Sequence, residues 1–185
     1  MARAPHYWLM KSEPDVFSLT ELKKVGKTLW TGVRNYQARN YMLGRAQTKA
    51  LVEQAVKEKK KLADSMTTAS PLTMEAGDHF LFYHSNATPA ACVGVGRIEN
   101  VGVADPEQFN GKLEGFEPKA SKLKPMWFCA EVSFEKEFAK PVSLDTLRAD
   151  AALAKMLLLQ KGSRLSVQPV TQKEFEHVVK LGGGK

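Results

Sequence analysis

Two of the four histidines, His79 and His84, lie in one apolar segment an odd number of positions apart. On an extended strand that spacing sends them to opposite faces, so they cannot share a metal ion without help from elsewhere. His84-Ser85 couples a base to a hydroxyl only in order of sequence. Neighbours on a strand point apart, and no Gly-x-Ser-x-Gly turn surrounds Ser85. The acidic residues are scattered, with no pair spaced for acid–base work. Gly94-Val95-Gly96 lacks the third glycine and the following helix of a dinucleotide loop, and Gly162-Ser163-Arg164 is no Walker loop. Cys92 and Cys129 sit in separate apolar runs outside any C-x-x-C spacing, and read as small buried side chains in a reducing compartment. No catalytic group, metal or cofactor is expected.

Binding chemistry is better represented. Lys11-Ser12-Glu13-Pro14 ends an apolar strand, and Pro14 forces its predecessor out of helical geometry. Trp30-Thr31-Gly32-Val33-Arg34-Asn35 sets a tryptophan in a glycine-bearing loop just before a helix. Ser85-Asn86 follows the strand Phe80-Leu81-Phe82-Tyr83, and Arg164, Ser166 and Gln168 alternate along a further extended stretch so that they share a face. Taken singly, each has a plainer reading: tryptophan as core, Ser-Asn as a turn, arginine facing solvent. What they share is a position at strand ends.

Were the ligand a single nucleobase, as a family resemblance carried by these same segments implies, it would be held by stacking and by hydrogen bonds to its edge. Trp30 is the expected platform, with Val33 beside it to accept a methyl or hydroxymethyl group. Ser12, Asn35, Ser85 and Gln168 can each donate and accept, as a base edge requires. Lys11 and Tyr83 complete the expected pocket. Arg34, Arg39, Arg164 and Lys119 are the expected phosphate contacts, which give affinity but no base information.

The elements that must position these residues follow from local patterns. Ser18 with Glu21, and Thr171 with Glu174, are capping boxes, and Ser143 offers a cap alone. They predict helices over 19–25, 172–181 and 144–149, with Gly26 and Gly182 as stops. Another helix is expected after Asn35, through Tyr41, and another over 46–66, where Lys57 to Lys61 form a solvated face. A turn-like stretch, Thr67 to Pro71, closes that segment. Strand signals cover His6–Lys11, His79–His84, Ala91–Val103, Trp127–Phe138 and Leu165–Val170. Strands interrupted irregularly by short helices argue for an α+β fold with a mixed sheet or small barrel.

The chain has 185 residues, 43% hydrophobic and 25% charged, which suits one domain over 1–185 with a frayed tail at 182–185. Its net charge of +7 favours phosphate-bearing partners. No apolar run approaches the roughly 18 residues of a membrane span, and no signal peptide opens the chain. A cytoplasmic protein is expected, with Asn86-Ala87-Thr88 a chance glycosylation match.

Four blocks in order carry a family resemblance: Tyr7-Trp8-Leu9-Met10-Lys11-Ser12-Glu13-Pro14, Trp30-x-Gly32-Val33-Arg34-Asn35-Tyr36-Gln37-Ala38-Arg39-Asn40, Phe82-Tyr83-His84-Ser85-Asn86, and Gly162-Ser163-Arg164-Leu165-Ser166-Val167-Gln168-Pro169-Val170. Pro118-Lys119-x-Ser121 and Trp127 add a weaker match. From about Tyr7 to Leu181 the chain resembles the EVE domain family, which has many small bacterial members. The resemblance implies a PUA-like fold, a compact β-barrel of five to six mixed strands with peripheral helices. It implies a binding module, not an enzyme, whose partner is DNA or RNA and whose ligand is a modified base, such as 5-methylcytosine. An inserted helical segment at about 45–72, where the family passes almost directly to the next strand, is expected to project from the barrel. Two other readings stay open: an RNA- or nucleotide-processing enzyme of ASCH-like type using His84 or Lys11, and a protein-interaction module using the inserted helix.

Overall fold

The computed structural model describes residues 4–58 and 72–183. Helix entry follows the capping chemistry read from sequence. Before α1 (Leu19–Val25), the Ser18 side chain accepts the Glu21 N–H while Glu21 accepts the Ser18 N–H. Asn35 caps α2 (Tyr36–Met42) by accepting from Gln37 and Ala38. Next comes α3 (Gly44–Lys57), and then α4 (Leu144–Ala149), which Ser143 caps by accepting from Thr146. Thr171 and Glu174 repeat the capping box before α5 (Gln172–Leu181).

The inserted helix therefore begins two residues earlier than expected. Its continuation past residue 58, and the stretch from Thr67 to Pro71, lie outside the described residues. Gln47 Nε2 donates to the Gly102 carbonyl at 3.2 Å, and Thr48 and Ala55 are buried. Gly44, at φ 71°, reverses the chain between α2 and α3, and a Cβ there would strike Val101.

Six strands form one mixed sheet: β1 (Tyr7–Ser12), β2 (Lys27–Leu29), β3 (His79–His84), β4 (Ala91–Ala104), β5 (Phe128–Ser143) and β6 (Val167–Val170), in the order β2-β5-β4-β3-β1-β6. β1 runs parallel to β3 and antiparallel to β6, and β3 is antiparallel to β4. The α+β class and PUA-like arrangement stand, although the strand order is open and ends on β2 and β6. β2 was not expected; three residues are too few for a periodic signal.

The chain divides into two units: Met1–Thr28, Gly77–Ile98 and Val132–Lys185 in the first, and Leu29–Ala76 and Glu99–Glu131 in the second. The first is built on Leu9, Leu81, Val95, Leu147, Phe175 and Val178, packed with other buried apolar side chains. Trp8, Leu9 and Met10 are consecutive and all buried, as are Phe80 to Tyr83, so both faces of these strands are covered. Covering both faces buries polar groups too. Asp78 answers this at the start of β1, accepting from the His6 N–H at 2.9 Å and the Trp8 indole at 3.0 Å.

Gly94 and Gly96 make close packing possible in the same unit. A Cβ on Gly96 would meet the Phe80 ring and the Ser133 carbonyl, and one on Gly94 would meet Leu19 and the Lys136 carbonyl. The Gly-Val-Gly spacing thus serves one face of β4, where neighbouring groups come too near for a side chain. Gly96→Ala is expected to destabilise the fold by about 1–3 kcal/mol. Urea unfolding checks this, and an unchanged midpoint contradicts it.

Candidate nucleic-acid interface

In the first unit, three polar segments converge because β1 lies between β3 and β6. Lys11 faces Tyr83 and Ser12 faces His84 in the parallel register. Past the strand ends, Ser85 N–H donates to the Ser12 carbonyl at 2.9 Å, and Lys11 N–H donates to the Ser166 carbonyl at 2.8 Å. Asn86, at φ 50°, donates from Nδ2 to Glu13 Oε1 at 2.7 Å. Lys11, Ser12, Ser85 and Gln168 are therefore carried by adjoining segments, as the sequence suggests for strand ends. Partial burial lowers the Lys11 ammonium from its ordinary value. Burial, then the neighbouring Cys92, raises the Tyr83 phenol to about 12. Arg164 is exposed and precedes β6.

Gln168 is 1% exposed, and its two sides are treated differently. Its Nε2 donates to Ser163 Oγ at 3.0 Å and to the Leu165 carbonyl at 2.8 Å. Its Oε1 is buried without a hydrogen-bond partner. An orphaned buried acceptor costs about 1–3 kcal/mol, so it marks a place where a donor is wanted.

His84, considered above as a catalytic base, has a structural use. Its Nε2 accepts the Leu19 N–H at 3.2 Å, satisfying one of the free donors that open α1. That bond requires a neutral ring nitrogen, and burial lowers the His84 pKa in the same sense.

In the second unit, the loop before α2 is tied to a buried carboxylate. Asp105, 1% exposed, accepts from the Gly32 N–H at 3.0 Å and the Glu107 N–H at 2.8 Å, and pairs with Arg34 Nη1 at 2.7 Å. Arg34 also donates to the Gly115 carbonyl from Nε and Nη2. Thr31 Oγ1 donates to Glu107 Oε1 at 2.5 Å. The fully buried Gln108 spends its whole amide on backbone: Nε2 on the Asp105 and Trp127 carbonyls, Oε1 on the Met126 and Trp127 N–H groups.

Trp127, 5% exposed, is held at the centre of this unit's aromatic cluster. Tyr36 stacks on it with centroids 4.9 Å apart, and the Arg34 and Arg39 guanidinium carbons lie 5.5 and 5.9 Å from its ring. Arg39 Nη1 donates to the Met126 carbonyl at 3.1 Å.

This geometry bears on each expected site residue of the second unit. Trp30 is 6% exposed and Val33 is buried alike, so Trp30→Ala would leave a cavity, and lost binding could not be separated from lost packing. Asn35 Oδ1 is committed to the α2 cap. Arg34 is committed to Asp105, while Lys119 is exposed. Sequence reasoning passed over Asp105, Gln108 and Tyr36. The signal for Asp105 was present: Asp105-Pro106 is the capped, proline-led start of the single turn Pro106–Phe109. Nothing local marks Gln108.

Among the described residues, no group of three or more His, Cys, Asp or Glu could hold a metal ion, and no helix is long and apolar enough to cross a membrane. Cys92 and Cys129 are free and buried, and burial raises both thiols to about 12.

The EVE domain model matches residues 6–49 and 47–181, and the chain belongs to that family. Thymocyte nuclear protein 1 of Rattus norvegicus is 31% identical over 194 residues, covering 95% of this chain and 73% of that protein. The crystal structure of human THYN1 in complex with 5-methylcytosine-containing DNA has a TM-score of 0.75 against this chain, at 29% identity over 97% of this chain and 99% of its own. A Pseudomonas syringae protein gives a TM-score of 0.76 at 34% identity, over 95% and 99% of the two chains.

The His84 bond has a pH signature. With its folded pKa lowered, the neutral ring stabilises the fold above the unfolded value of about 6.5, and that contribution is lost as pH falls through the folded pKa. Thermal melts from pH 7.5 to 5 are expected to show the wild type losing stability that His84→Gln does not lose. Parallel profiles contradict this assignment.

Proposed function

We propose that this chain is a nucleic-acid-binding domain, acting as one domain over 1–185, that reads a modified cytosine such as 5-methylcytosine. The observation that carries the proposal is its likeness, over nearly its whole length, to a protein crystallised with 5-methylcytosine-containing DNA. The net charge of +7 and the exposed Arg164 and Lys119 favour the phosphate backbone.

Gln168 supports a cytosine reading from this chain's own chemistry. Cytosine presents a 4-amino donor where thymine presents the O4 acceptor, and Gln168 Oε1 is an acceptor without a partner. Because Gln168 is almost fully covered, engaging it requires local opening, which the binding energy must supply. Ser12 and Ser85, on the adjoining strand ends, are the further edge contacts, and Lys11 and Tyr83 complete the pocket of this unit. Within the second unit taken by itself, Trp30 and Val33 are buried apolar side chains, Arg39 and Lys119 offer charge, and Arg34 and Asn35 brace the loop before α2.

Anisotropy titrations with one labelled oligonucleotide, varied only at a single base, test the reading. The wild type is expected to prefer 5-methylcytosine to cytosine by about fourfold, the effect of burying one methyl group. It is also expected to prefer 5-methylcytosine to thymine. Gln168→Leu should lower affinity about tenfold and erase the preference over thymine. Arg164→Ala should flatten the salt dependence by about 0.7–0.9 in log–log slope, without changing base preference. Equal binding to every oligonucleotide, or none to any, contradicts the proposal.

A further inference from the structure

Tyr36 is a large aromatic residue left 56% exposed, yet it is firmly braced. One face rests on Trp127, with centroids 4.9 Å apart and ring planes 26° from parallel. The Arg39 guanidinium carbon, one turn further along α2, lies 4.9 Å from the Tyr36 centroid. These spacings locate the open face. If Arg39 covered the side of Tyr36 opposite Trp127, its distance from Trp127 would approach the sum of the two 4.9 Å spacings, but it is 5.9 Å. Arg39 therefore flanks the stack, and the outer face of Tyr36 is left to solvent.

The electrostatics of that face are one-sided. Arg39 donates to the Met126 carbonyl and to Asn40 Oδ1, both neutral, and no carboxylate among the described residues is paired with it. Its charge is held in place by neutral acceptors beside the open ring. Burial lowers the Arg39 pKa from its ordinary value, with Tyr36 acting in the opposite sense. The support beneath Tyr36 is fixed as well: Gln108 holds the Met126 and Trp127 backbone through three hydrogen bonds. A flat π-surface with a rigid backing and an uncompensated guanidinium at its edge suits a planar group attached to a phosphate.

We propose that the outer face of Tyr36 is a second stacking site, which takes another unpaired nucleobase of the bound strand while Arg39 contacts its phosphate. This rests on the nucleic-acid reading above, but it assigns a residue and a nucleotide that the base-edge contacts do not involve. The bases of an unpaired strand lack a stacking partner, and an aromatic platform offsets that loss whatever the base.

An abasic scan tests the site. A single-stranded oligonucleotide carrying one 5-methylcytosine is titrated with the base removed at each other position in turn, for wild type, Tyr36→Ala, Tyr36→Leu and Tyr36→Phe. Wild type and Tyr36→Phe are expected to lose about 5- to 150-fold in affinity at one position of the scan. Tyr36→Ala and Tyr36→Leu should bind the complete oligonucleotide more weakly by a similar factor and show no further loss at that position. Tyr36→Leu keeps apolar cover over Trp127, and its thermal midpoint guards against reading misfolding as lost stacking. If all four proteins give the same scan while still binding the oligonucleotide, the platform is refuted and the nucleic-acid reading survives. If the wild type binds none of the oligonucleotides, that reading fails first.

Discussion

Asp105 carries a carboxylate with 1% of the residue exposed, and a buried carboxylate must be matched where it stands. Two backbone N–H groups and the Arg34 guanidinium do so, and each recruits a different piece of chain. Gly32 brings the loop before α2, Glu107 brings the turn after β4, and Arg34 reaches on to Gly115 and Trp127. The aromatic cluster around Trp127 is thus downstream of one carboxylate. Removing a partner from such a buried pair costs about 3–5 kcal/mol, so these contacts form or fail together. Asp78 has a smaller version of the role in the other unit, joining His6 and Trp8 at the start of β1.

Satisfying buried polar groups also decides which residues are left for a ligand. Arg34, Asn35 and His84 look available in the sequence, but the structure commits them to an ion pair, a helix cap and a backbone donor. Gln108, in the Pro106–Phe109 turn, and Gln168, on β6, are both buried amides, yet Gln108 uses every bond it can reach and Gln168 leaves its oxygen idle. Arg39 is bonded only to neutral oxygens and keeps its charge. On the proposed reading, the groups with unspent bonding capacity are the ones that a nucleic-acid ligand engages.

Much of the fold was legible because its signals are local. Ser18, Ser143 and Thr171 each satisfy N–H groups within three residues, and the helices begin where those side chains say they must. The strand ends bearing Lys11, Ser12 and Ser85 were legible as polar clusters following apolar runs. Exposure was less legible. Trp30 and Tyr36 are both aromatic residues in one short segment, and only the packing reveals that the first is covered and the second is open. Asp105 contacts Gly32 and Arg34 across more than seventy positions of sequence, a range at which neither periodicity nor turn chemistry carries information. The short β2 gave no pattern at all, being fixed by its pairing within the sheet rather than by its own three residues.

Whether Gln168 meets a base decides most directly between base recognition and backbone binding alone. Side-chain amide resonances, followed by NMR as an oligonucleotide with one 5-methylcytosine is added, report on the surroundings of that amide, and the matched oligonucleotide without that base isolates the contact. The Gln168 pair should shift on binding and return towards its free position when the same oligonucleotide lacks that single base. A Gln168 signal that stays fixed while the protein binds would contradict the account.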